Sequence, residues 1–167
     1  MQITSRFTIS IHALAFIDLF QDEMRVTSNV LAKSIQVNPV IIRTVLSKLK
    51  ESGIIMARRG SGGFHLGKPL NEISFYDIYK AVDTVDEDGL FHFHENPHPD
   101  CVVGGNIHAA LDDKIQRVQD SMEDELKGIY MSDVVDDLVK EMHRRNQSAK
   151  GMGKRRFPGV QRRTAIG

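Results

Sequence analysis

Two clusters in this 167-residue chain carry side chains whose types and spacing could do chemistry. The first is electrostatic. Between Arg25 and Lys68 stand eight Lys/Arg and a single acid, Glu51, a local charge of +7. Within that stretch lies Arg58-Arg59-Gly60-Ser61-Gly62-Gly63. Cations beside a glycine-rich turn suit a phosphate backbone, because glycine permits positive φ and close approach of the main chain. A solvated surface usually mixes its signs, so a run of one sign points to an anionic partner. The second cluster is Phe91-His92-Phe93-His94-Glu95-Asn96-Pro97-His98-Pro99-Asp100-Cys101, with His108 beyond. Imidazole and thiolate are transition-metal ligands. Neither cluster pairs a nucleophile with a base or sets two carboxylates in a recognisable pattern. No Gly-Lys-Ser/Thr follows the glycine turn. The chain is therefore not read as an enzyme, and nucleotide binding is set aside.

The formal net charge of +0 conceals a split. From Leu70 to Gln147 there are seven Lys/Arg against 18 Asp/Glu, a local −11, and the last 20 residues hold six Lys/Arg and no acid. The single cysteine, Cys101, allows no intrachain disulfide and fits a reducing, cytoplasmic setting. The N-terminus lacks a signal-peptide run, and nothing approaches the roughly 20 apolar residues of a membrane span.

The elements that position these residues follow from periodicity and capping. Residues 5–21 predict a helix with two apolar stripes, one of Phe7, Ile11, Leu14 and Ala15, the other of Ile9, Ala13, Phe16 and Phe20. Burial on two sides follows, within its own domain or against a partner. A second helix is expected over 28–35 with Ser28 as its N-cap. A third starts at Asn38 with Pro39 at its first position and stops near Gly53; its core stripe is Ile42, Val45, Leu46 and Leu49. Residues 54–59 and 64–66 read as short strands around the glycine turn, with Phe64 and Leu66 on one side and His65 on the other. Further helices are expected over 74–82, 106–129 and 132–145, with an irregular stretch over 84–105. The tail, 148–167, has no apolar period and is expected to be disordered, either a basic arm or a stretch foreign to the natural protein.

Three short helices and a β-hairpin make a winged helix-turn-helix: a mainly α chain with a small β-hairpin and a long C-terminal helix. The third helix would lie in the major groove of double-stranded DNA. Its candidate contacts are Asn38, Val40, Arg43, Thr44, Ser47 and Lys48. Arg43 can offer a bidentate fork to guanine. Ser28 would meet a phosphate, and Arg58, Arg59, Gly60, Ser61 and Gly62 would reach along the backbone or into the minor groove. The rival reading is a winged-helix module that binds protein. It would want an apolar recognition face, and Arg43, Thr44, Ser47 and Lys48 argue against it. On the long helix, Leu111, Ile115, Val118, Met122 and Ile129 follow near-heptad steps, a seam suited to a homodimer. The expected layout is 1–83 for DNA binding, 84–105 as a sensor loop, 106–147 for dimerisation and 148–167 as the tail.

Thr4-Ser5-Arg6-Phe7, Leu49-Lys50-Glu51-Ser52-Gly53-Ile54-Ile55 and Arg59-Gly60-Ser61-Gly62-Gly63-Phe64 with Leu66 resemble the Rrf2 family of bacterial winged-helix regulators. The similarity spans roughly residues 1–145, and Arg-Gly-x-Gly-Gly-Phe/Tyr is its most specific part. It implies a homodimeric transcription regulator, most often a repressor, paired through the long helix and bound to an imperfect palindrome, with Arg59 as the wing arginine that enters the minor groove. Many members carry Tyr-Leu-Glu early in the recognition helix where this chain has Ile41-Ile42-Arg43, so their target sequence does not carry over. Cluster-binding relatives place three cysteines in the loop where only Cys101 stands here, so no iron–sulfur cluster is expected. A transition-metal site from His92, His94, His98 and Cys101, a redox-sensing Cys101, and a merely solvated loop stay open.

Overall fold

The computed structural model describes residues 5–58, 60, 62–82 and 96–149. The first helix, α1 (Ser5–Phe20), buries Phe7, Ala13, Leu14, Ala15 and Ile17, and also Ile9 and Ser10 on its other side. The Ser10 hydroxyl is satisfied by the Arg6 carbonyl at 2.6 Å. The rings of Phe7 and Phe75 meet edge to face, 5.5 Å between centroids.

The second helix, α2 (Ser28–Ile35), is capped by Thr27 and not by Ser28. Thr27 is extended, and its side-chain oxygen accepts the Val30 N–H at 3.3 Å. Either residue is a competent cap by type. The choice is tertiary: the Val26 carbonyl accepts the Phe64 N–H at 2.9 Å, which draws out the chain just ahead of Thr27. Helix α2 closes on Gln36, whose φ of 58° is left-handed, with its N–H on the Ala32 carbonyl. The chain then enters α3 (Pro39–Glu51), where the Asn38 side chain accepts the Val40 N–H at 2.9 Å and Pro39 needs no donor. Ile42, Val45, Leu46 and Leu49 are buried along its inner face.

The hairpin joins β1 (Ile55–Arg58) and β2 (Gly63–Leu66), antiparallel, with Ile55 opposite Leu66 and Arg58 opposite Gly63. Side chains alternate as expected, but the buried residue of β2 is His65, while Phe64 and Leu66 are half-covered. After a single 3-10 turn at Leu70–Glu72 comes α4 (Phe75–Val82), capped by reciprocal bonds between Ser74 and Asp77. Then follow α5 (Ile107–Gly128) and α6 (Met131–Ala149). One hydrophobic core takes in Leu14, Leu31, Ile42, Leu49, Ile78 and Tyr79, and also Met131 and Val135 from α6. The Phe75 N–H donates to the Ile129 carbonyl and the Met131 N–H to the Ile73 carbonyl, which fastens the turn between α5 and α6 to the start of α4.

Gly63 holds φ at 73°, and a Cβ there would lie 2.5 Å from the Val26 carbonyl oxygen. Gly63→Ala is expected to lower unfolding stability by roughly 1–3 kcal/mol, as measured by urea denaturation.

Candidate nucleic-acid interface

The outer face of α3 is assembled by the same capping that starts the helix. Val40, Thr44 and Ser47 follow one another along it, flanked by Arg43 and Ile41. Val40 is 61% exposed and Ile41 40%, unusual for β-branched residues beside a core stripe. The Thr44 hydroxyl donates to the Val40 carbonyl at 3.1 Å and the Ser47 hydroxyl to a Glu51 carboxylate oxygen at 2.9 Å. The Asn38 side chain is occupied as the cap. Arg43 is exposed.

Lys48 does not belong to this face. It is half-buried, and its Nζ donates to the Val82 carbonyl at 3.1 Å, at the C-terminus of α4. A cation there satisfies an unpaired carbonyl and complements the helix dipole. Lys48 thus joins two helices, a role that spacing along α3 could not show. Ser28, displaced from the cap, is the first residue of α2 and half-exposed. Ile41, which sequence reasoning left out of the contact set, is exposed beside Val40.

In the wing, Arg58 and Gly60 are exposed and Gly62 is half-covered. Arg59 and Ser61 lie outside the described residues. The hairpin is held against the helices by the Phe64–Val26 bond and by the Leu66 N–H donating to the Gln21 side-chain oxygen at 3.0 Å. Arg25, Lys33, Arg43, Lys50, Arg58 and Lys68 are all exposed, and none forms an ion pair among the described residues. The ion pairs that do occur lie within α5 and α6: His108–Asp112, Lys127–Asp124, Lys140–Asp137, and Arg144 and Arg145 on Glu141. These six cations of the helix-turn-helix and hairpin thus differ from Lys127, Lys140, Arg144 and Arg145, whose charge meets an acid on the same helix.

Of the second cluster, His92 and His94 lie outside the described residues. Cys101 is exposed, and the backbone N–H groups of Gly104 and then Val103 hold its thiol below the ordinary value. His98 Nδ1 accepts the Asp100 N–H at 3.3 Å. No group of three His, Cys, Asp or Glu poised for a metal occurs among the described residues.

The seam residues divide. No residue of α5 is buried. Leu111 and Ile115 are half-exposed and Val118 is 55% exposed, with Val102 and Val103 still more open just ahead of the helix. Met122, by contrast, packs with Leu126 against the core. Ile129 lies just past the helix: it is the extended C-cap of α5, half-exposed, and its carbonyl accepts the Phe75 N–H. The ammonium of Lys127 sits 5.0 Å from the centre of the Tyr76 ring, tying α5 to α4.

The family model for Rrf2, described as an iron-dependent transcriptional regulator, matches residues 3–137. The chain belongs to the Rrf2 family. A Bacillus subtilis (strain 168) protein, YwnA, described as a candidate HTH-type transcriptional regulator, is 40% identical over 136 residues, covering 81% of this chain and 98% of that one. The crystal structure of a candidate DNA-binding protein is 34% identical with a TM-score of 0.62, covering 77% of this chain and 97% of that one. CymR, the global cysteine regulator of B. subtilis, shares the fold at a TM-score of 0.61 and 16% identity, over 81% of this chain and 97% of its own. This Rrf2 member is therefore a DNA-binding transcriptional regulator with a winged-helix fold, and its relatives are regulators, not enzymes. Among the described residues no helix is long and apolar enough to cross a membrane. Toward the iron in the family's description the described part of this loop offers one thiol, Cys101, and the Nε2 of His98, whose Nδ1 accepts the Asp100 N–H.

Lys48→Met is expected to lower unfolding stability by about 1 kcal/mol yet leave the salt dependence of DNA binding unchanged. Thermal denaturation and a salt titration of binding check the two halves separately.

Proposed function

We propose that this Rrf2 protein is a homodimeric repressor that reads an imperfect palindrome through α3 and the wing and works without an iron–sulfur cluster. The observation that carries the reading is the set of exposed, unpaired cations spread over α2, α3 and the hairpin. Asn38, Val40, Arg43, Thr44 and Ser47 take the major groove, and Ser28 meets a phosphate. Arg58, Arg59, Gly60, Ser61 and Gly62 engage the backbone and minor groove. The dimer pairs Leu111, Ile115 and Val118 with their counterparts, covering apolar surface that the protomer leaves open. Two copies then present two recognition helices to half-sites about one helical turn apart or a multiple of it.

For a dimer with several phosphate contacts on each side, affinity is expected to fall about 10³-fold or more between about 50 and about 200 mM salt. Arg59→Ala is expected to weaken binding to all duplexes alike and make the salt slope shallower by about two units, one for each protomer. Fluorescence anisotropy over a salt series reads both, and affinity indifferent to salt and to this substitution would sink the proposal. Sedimentation velocity reads the dimer.

A second reading concerns the signal and is favoured by the exposure and lowered pKa of Cys101. A thiolate attacks hydrogen peroxide; the peroxide O–O bond breaks, the sulfur takes up one oxygen as sulfenic acid, and water leaves. The same site could accept a mixed disulfide. Alkylation of Cys101 is expected to reach half its limiting rate at a pH below that of an ordinary cysteine thiol. Peroxide is expected to weaken DNA binding of the parent protein and not of Cys101→Ser. An equal response from both would remove Cys101 as the sensor.

A further inference from the structure

The hydroxyl protons and the Asn38 side-chain oxygen of the recognition face are already engaged within the protein. The Thr44 proton is given to the Val40 carbonyl, the Ser47 proton to Glu51, and the Asn38 oxygen to the Val40 N–H. Lys48 has left the face for the end of α4. Beside the Asn38 amide donors and the Thr44 lone pairs, the first two turns of α3 offer one guanidinium, Arg43, and two open β-branched side chains, Val40 and Ile41.

Exposed valine and isoleucine at this point are not core residues that failed to bury. The core stripe of the same helix is complete in Ile42, Val45, Leu46 and Leu49. Nor does the charge around them suit an apolar protein partner, since the neighbouring cations are unpaired. The one apolar group on a major-groove base edge is the C5-methyl of thymine.

We infer that Val40 and Ile41 read thymine methyl groups, so that the half-site carries thymine beside the base pair engaged by Arg43. This rests on the proposed docking of α3 in the major groove and adds the chemistry of what is read there. Each methyl covered by an apolar side chain is worth about a threefold to fivefold change in affinity.

The test uses the full-length protein and a duplex selected from a random pool. Each thymine of a half-site is replaced in turn by deoxyuridine, which removes the methyl and keeps the pairing. The expected result is a threefold to fivefold loss for at least one thymine with the parent protein. That loss should vanish in Val40→Ala or Ile41→Ala. Both residues are exposed, and matching melting temperatures would show that the variants fold. Uracil duplexes that bind as tightly as thymine duplexes would overturn the inference while leaving DNA binding intact. So would a thymine preference that persists in both variants, because the methyl would then act through duplex shape. Failure of the pool to yield any enriched duplex would instead remove the docking of α3, and this inference with it.

Discussion

A single backbone hydrogen bond, from the Phe64 N–H to the Val26 carbonyl, fixes the relation between the wing and the helix-turn-helix. It couples β2 to the loop that feeds α2, and much follows from it. Gly63 must be a glycine because the strand approaches Val26 too closely for a Cβ. Thr27 becomes the cap of α2 because the chain ahead of it is drawn out. The Gln21 side chain takes the next inward N–H of β2, at Leu66, so the hairpin is held at two points. A two-stranded ribbon is marginal by itself in water. Here its geometry is borrowed from the helices, and Arg58 at the end of β1 inherits a defined position relative to α3.

The distribution of ion pairs makes the electrostatics directional. In α5 and α6, Lys127, Lys140, Arg144 and Arg145 each meet an acid three or four residues away on the same helix. Such exposed pairs add little stability, but they remove charge from the far field. Arg25, Lys33, Arg43, Lys50, Arg58 and Lys68 form no such pair among the described residues, so their field is not cancelled in that way. A molecule of zero formal charge thereby acts as a dipole, basic at the reading end and acidic along the remaining helices. The acidic end also discourages a duplex from lying along α5.

Much of this architecture was legible in the residues, and the exceptions share a cause. Helix α3 was plain because Asn38, Pro39 and the Ile42-Val45-Leu46-Leu49 stripe are local signals that agree. The hairpin was plain from the change of period and the glycines. Choosing between Thr27 and Ser28 needed the partner of Val26, which lies nearly forty residues on. Lys48 looked like a groove contact because its acceptor, the Val82 carbonyl, is 34 residues away and carries no side-chain signal. Ile129 fell in step with the apolar repeat, yet the helix had already ended one residue before it. His65 is buried between two larger apolar neighbours that are less so, a detail set by how the ribbon rests on the helices. Local chemistry can be read along a chain; a bond between distant backbone atoms cannot.

The Lys48–Val82 bond has a mechanical consequence. Val82 is the last residue of α4, and the chain runs on from it toward Cys101. Lys48 sits in the second half of the recognition helix. The ammonium is thus a tether between the reading head and the C-terminal end of α4. A displacement of the C-terminal end of α4 would thus reach α3 through this hydrogen bond as well as through the core the two helices share.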